Sequence, residues 1–155
     1  RKETVKLADI LGDVVNIMSS AAKERGIRLM LAPVPSVVGM DTDPKLVKAA
    51  VLKILENAIR YNAANGEVKI NASLQEKQKG VLIEIQDTGV GVPTAEQPLV
   101  FTKFFRGSNF NTTDISGAGL GLYIAREYVK LLGGKIWFKS EEEKGTTFFI
   151  FLPIS

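Results

Sequence analysis

The chain has 155 residues and contains neither cysteine nor histidine, which excludes a disulfide framework, a thiolate zinc site, a thiol nucleophile and every histidine-based catalytic arrangement. Its length suits one domain that buries roughly 68–70 % of its unfolded surface, and a formal net charge of +3 permits a polyanionic ligand without giving any separate signal for nucleic acid. No apolar run approaches the ~20 residues of a membrane span, and Arg1 rather than Met at the start is what a piece of a longer protein would show.

After a short extended lead, Leu7, Ile10, Leu11, Val14, Val15, Met18, Ala21 and Ala22 recur at three- and four-residue steps, which predicts an amphipathic helix ended by Gly26. Residues 27–31 and 36–40 read as two short strands, held apart by Pro33 and Pro35. Asp43-Pro44 is a helix start, with Asp as the cap and Pro pre-set for the first helical position. The second helix runs to about Tyr61 on a stripe of Leu46, Val47, Ala50, Val51, Ile54, Leu55 and Ala58. Lys53, Asn57 and Arg60 fall one turn apart on another side. An uncharged Asn between two cations is an odd solvent face, although a lone Asn that caps or faces water would also account for it.

Alternation in Val68, Ile70, Ala72 and Leu74 predicts a strand, and a turn over 76–80 leads into a buried strand over 81–86. This second strand ends on Asp87-Thr88-Gly89-Val90-Gly91, handing a carboxylate to a glycine turn. Gly89 and Gly91 let the backbone turn sharply and leave no side chain between it and a ligand. An ionised Asp only accepts hydrogen bonds, so it suits adenine, whose N6 donates, and not guanine, whose O6 accepts. An ordinary hairpin turn explains this stretch alone equally well.

The segment 100–107 sets Phe101, Phe104 and Phe105 beside Lys103 and Arg106, and 108–116 is polar and patternless, as in a functional lid or a linker. Gly117-Ala118-Gly119-Leu120-Gly121-Leu122 then opens a third helix, with a stripe of Leu122, Ile124, Ala125, Tyr128, Val129 and Leu132 that closes at Gly133-Gly134. Glycines at a helix start expose N–H groups to a phosphate. No strand precedes them as a dinucleotide fold requires. Residues 135–140 and 146–152 form a final strand pair across a solvated acidic turn.

The order of these features resembles the catalytic, ATP-binding domain of sensor histidine kinases, in the superfamily that includes gyrase, the heat-shock chaperone ATPases and MutL. Residues 52–61 resemble its asparagine box, 87–91 its first glycine box, 101–106 its phenylalanine box, 117–121 its second glycine box and 145–148 its last glycine-threonine box. The resemblance covers nearly the whole chain. It implies a two-layer α/β sandwich, the Bergerat or GHKL fold, in which a mixed, mostly antiparallel sheet packs on three helices. The domain would span 1–155, with a mobile ATP lid at about 94–118.

The resemblance also implies roles. Asn57 would hold Mg²⁺, with Arg60 and Tyr61 near the phosphates and ribose. Asp87 would read adenine N6, backed by the hydroxyl of Thr146 or Thr147, with Gly89 and Gly91 shaping its turn. Lys103 and Arg106 would face the terminal phosphates and, with Asn57, form the catalytic set. Gly117, Gly119, Leu120, Gly121 and Leu122 would supply the phosphate seat. The implied activity is transfer of the γ-phosphate of Mg-ATP to a histidine on a separate dimerisation domain, and from there to a response regulator. No nucleic acid or membrane contact is implied for the domain. It would be cytoplasmic and monomeric, within a homodimeric parent that can be membrane-anchored. Many members carry a second Asn four residues before the metal-binding one, where this chain has Lys53. In the hydrolysing relatives a glutamate base stands there, and lysine cannot take that role. Lys53 either meets phosphate oxygens or crowds the ion. The rival readings are another GHKL-type ATPase or serine-kinase relative, and a nucleotide-free docking scaffold.

Overall fold

Asp43 accepts the N–H groups of Lys45 (3.0 Å) and Leu46 (3.3 Å) on its Oδ1, so the cap expected from Asp43-Pro44 forms and starts helix α2, Pro44–Arg60. The computed structural model describes residues 3–37, 40–103, 105 and 120–154. Helix α1, Leu7–Glu24, buries Leu7, Ile10, Leu11, Val14, Met18 and Ala22. It ends as the sequence requires: Gly26 takes φ +69°, while the N–H groups of Gly26 and Ile27 return to the carbonyls of Lys23 and Ala22. Helix α3, Gly121–Leu131, closes in the same way through Gly133 and Gly134.

The strands are β1 (Glu3–Thr4), β2 (Arg28–Leu31), β3 (Asp41–Thr42), β4 (Glu67–Gln75), β5 (Gly80–Asp87), β6 (Lys135–Glu141) and β7 (Gly145–Pro153). The main sheet has the order β2-β4-β5-β7-β6. The β2–β4 pair is parallel and the other three pairs are antiparallel. One face carries Val68, Ile70, Ala72, Val81, Ile83, Ile85, Phe148, Ile150 and Leu152, all buried with the apolar stripes of the helices in one core. The expected two-layer sandwich of mixed sheet and helices is therefore the observed one.

Three details differ from expectation. Of the strand expected over 36–40, the described residues Ser36, Val37 and Met40 are irregular, and residues 38 and 39 lie outside the described residues. The pairing falls instead on β3, whose partner is β1, ahead of α1. A two-residue strand is fixed by that distant partner, and local alternation carries no trace of it. Strand β2 starts at Arg28 and not at Ile27, because the Ile27 N–H is spent on the cap of α1. A 3-10 turn over Thr94–Leu99, absent from the sequence reading, follows the glycine turn.

Candidate functional site

Asp87 is the last residue of β5 and shares the helix-facing side with Val81, Ile83 and Ile85. Alternation thus turns a carboxylate inward at the point where the core stops. It is 8 % exposed. Among the described residues its hydrogen bonds all fall on Oδ1, from the N–H of Gly89 at 2.8 Å and of Thr146 at 3.1 Å. Burial pushes the carboxyl up to about 6, with the two N–H donors pulling the other way. The second oxygen accepts no hydrogen bond among the described residues.

The support of Asp87 by threonine differs from the expectation. Thr146 acts through its backbone N–H, since its hydroxyl lies 2.8 Å from Ser140 Oγ. Thr147 pairs with Gln86 on the opposite face of the sheet and does not face Asp87.

The glycines near Asp87 answer to the chain's own packing. A Cβ at Gly89 would come 2.5 Å from the Tyr61 carbonyl oxygen and 2.9 Å from Asp87 Oδ1. At Gly91, φ +69°, it would overlap the Glu141 carbonyl, and at Gly145, φ +122°, the Asp87 carbonyl. At both positions the room that a side chain would need is thus taken by other parts of the chain. Three further bonds fix the turn: Val90 N–H to the Tyr61 carbonyl (3.2 Å), Glu143 N–H to the Val90 carbonyl (2.7 Å) and Val92 N–H to Ser140 Oγ (2.8 Å).

The first of these bonds brings the C-terminal end of α2 to the Asp87 turn. Asn57 lies one turn, about 6 Å along the axis, before Tyr61. Asn57, Arg60 and Lys53 are all half-buried. Opposite them stands the start of α3, where the first intrahelical bond runs from Ile124 N–H to the Leu120 carbonyl (2.9 Å). The N–H groups before Ile124 therefore have no partner within the helix. The Leu122 side chain belongs to the core, so only its backbone can serve a ligand. Gly121 has the Lys53 stem beside it, with Cδ 4.0 Å from where a Cβ would sit. Lys103 reaches the same turn, its Nζ 5.0 Å from the centroid of the Tyr123 ring.

The structure thus gathers Asp87, Gly89, Gly91, Thr146 and Tyr61 at one end, and brings Lys103, Leu120, Gly121 and Leu122 together at the start of α3. Arg106, Gly117 and Gly119, with most of the expected lid, lie outside the described residues. Ser140 and Gln97 were missed by the sequence reading. Gln97 Nε2 donates to the carbonyls of Val92 and Ser140, both at 3.1 Å, and Ser140 contacts Thr146. Ser140 could have been found, since it stands opposite Thr146 in the predicted final strand pair. Asn62 and Thr88 were missed as well, and their mutual hydrogen bond ties the loop after α2 to the end of β5.

Among the described residues no helix is long and apolar enough to cross a membrane. A family model described as "Histidine kinase-, DNA gyrase B-, and HSP90-like ATPase" matches residues 42–155. The signal transduction histidine-protein kinase ArlS of Staphylococcus aureus is 40 % identical over 107 residues, which are 69 % of this chain and 23 % of ArlS. The chain therefore spans about a quarter of that curated relative. The mycobacterial sensor histidine kinase MprB superposes with a TM-score of 0.81 at 26 % identity, over 99 % of this chain and 97 % of that one. Full-length ShkA, solved in complex with AMPPNP, gives 0.84 at 26 % identity, over 99 % of this chain and 31 % of ShkA.

Proposed function

Because this chain belongs to the histidine kinase-, DNA gyrase B- and HSP90-like ATPase family, as the catalytic ATP-binding domain of a sensor histidine kinase, we propose that it binds Mg-ATP and donates the γ-phosphate to a histidine on a separate dimerisation domain. The observation that carries this reading is Asp87: a buried carboxylate with one oxygen held by two backbone N–H groups and the other left to accept from adenine N6. The AMPPNP bound to ShkA supports an adenine nucleotide as the ligand.

From that anchor, the α- to γ-phosphates extend toward the start of α3. There the N–H groups of Gly121 and Leu122 donate to them, and Lys103 leaves the Tyr123 ring to neutralise charge. Arg106, Gly117 and Gly119 complete this seat in the proposal. Arg60 and Tyr61 border the phosphates and ribose.

The donor set also fits magnesium. Asn57 offers one neutral oxygen, its carboxamide makes no hydrogen bond among the described residues, and no cluster of three acidic or other ligating side chains is present among them. An ion that prefers oxygen, keeps its waters and binds chiefly through substrate phosphates suits such a site. When bound, it would neutralise charge on the phosphates as the γ-phosphoryl group leaves. The acceptor lies on another domain, since the chain has no histidine. Phosphoryl transfer asks mainly for positioning and electrostatics, which this arrangement supplies. A response regulator would then take the phosphoryl group.

Calorimetric titration with ATP and GTP, on the native chain and on Asp87→Asn, tests the proposal. Saturable ATP binding, at least about 100-fold weaker for GTP and for the variant, is the expected result. Equal affinity for both nucleotides would exclude Asp87 as the reader of the base.

A further inference from the structure

We propose that Lys53 contacts the nucleotide phosphates directly and takes over part of the charge neutralisation otherwise left to magnesium, so that ATP binding to this chain depends only weakly on the ion. The inference rests on the Mg-ATP reading above and adds to it a residue and a regulation by the ion.

Lys53 and Asn57 share one face of α2, a single turn apart. The Lys53 side chain is half-buried, and its stem runs beside the first residue of α3. Gly121 differs there from the other glycines of the site. Gly89, Gly91 and Gly145 are imposed by backbone lying against them, whereas among the described residues a Cβ at Gly121 would meet nothing closer than Lys53, at 4.0 Å. Its φ lies outside the left-handed range. Neither strain nor packing among the described residues therefore requires glycine at that position, and a side chain there would occupy the space between α3 and Lys53. A ligand that approaches the first N–H groups of α3 needs that space open.

The charge of Lys53 has the same direction. Lys48, Arg28, Lys130 and Lys144 each pair with a carboxylate, Asp13, Glu67, Glu127 and Glu141 respectively. Lys53 has no carboxylate partner among the described residues. Glu56 lies about 100° further round the helix from Asn57 and does not replace one. A half-buried ammonium beside a neutral carboxamide and a helix N-terminus favours a polyanion. It also opposes a bare divalent cation, so the ion would enter only together with the phosphates. An ammonium donates three hydrogen bonds and coordinates no metal, so Lys53 and magnesium act on the same phosphate charge from different sides.

The test is calorimetry with ATP on the native chain, Lys53→Ala, Lys53→Asn and Lys53→Arg, each in Mg²⁺ and in EDTA, with thermal melting to show that the variants fold. The native chain is expected to lose no more than about tenfold in affinity on removal of the ion. Lys53→Ala and Lys53→Asn are expected to lose at least a further tenfold in EDTA and less in Mg²⁺, while Lys53→Arg keeps the native pattern. Equal weakening in both conditions, or none, would overturn the role of Lys53 and leave the Mg-ATP reading standing. Failure of the native chain to bind ATP in either condition would overturn both.

Discussion

At the scale of single residues, Asp87 sets function against stability. The native chain holds this carboxyl at about 6, against an ordinary 3.8. Between these two values the folded chain binds more protons than the unfolded one, so stability falls as pH rises from about 4 to about 6 and stays lowered above that. A shift of this size corresponds to about 3 kcal/mol. Asp87→Asn keeps an oxygen for the N–H groups of Gly89 and Thr146 but carries no charge. It is expected to be more stable than the native chain at pH 8, by about 1–3 kcal/mol, and equally stable at pH 4, while losing ATP. Urea denaturation of both proteins across this range measures the difference directly, and parallel curves would show that burial of the charge costs nothing. In the proposed complex the ligand would offset the same cost, because a hydrogen bond from adenine N6 favours the ionised form. ATP binding should accordingly weaken as pH falls below about 6.

At the scale of elements, a glycine's role depends on what lies against it. Gly12 sits inside α1 with nothing within 4 Å of an added Cβ, so Gly12→Ala is expected to stabilise by about 0.5–1 kcal/mol through helix propensity and a smaller unfolded ensemble. Gly145 has φ +122° and lies against the Asp87 carbonyl. Gly145→Ala is expected to cost about 2 kcal/mol or more and to push β7 away from the carboxylate it holds. Denaturant midpoints for the two variants should move in opposite directions; a shift of the same sign in both would remove the steric account of the glycine turns.

The helices and long strands were legible in the sequence because their signals are local: the stripe of α1, the Asp43-Pro44 start of α2 and the alternation in β4. The contacts that hold the site are not local. Gln97 reaches Ser140 because β6 and β7 fold back beside β5, and Thr146 offers its N–H to Asp87 because of one strand register. The Thr146 N–H bond to Asp87 and the pairing of β3 with β1 both escaped the sequence for this reason, since in each case the partner lies tens of residues away. The placement of Asp87 at the buried end of a strand was legible, because alternation and the glycine turn are local, whereas its proposed role needed the order of the other motifs along the chain.

At the scale of the whole molecule, the proposed chemistry needs a second body. The chain holds a buried carboxylate at Asp87 and lysines beside the start of α3, but no histidine to accept phosphate. Phosphoryl transfer needs an acceptor nucleophile in line with the leaving oxygen, and neither burial nor charge can supply one. The isolated chain incubated with γ-labelled Mg-ATP is therefore expected to keep no label after denaturing electrophoresis. Addition of a histidine-bearing helical dimerisation domain should place acid-labile label on that domain, since a phosphoramidate hydrolyses in acid. Asp87→Asn should abolish the transfer by loss of binding. Rapid release of inorganic phosphate by the isolated chain would point instead to a hydrolysing ATPase, a reading opposed by the lysine at position 53, which stands where such chemistry would need a base. Label retained on the isolated chain would mean that one of its own side chains is the acceptor, and the division of labour between two domains would fall.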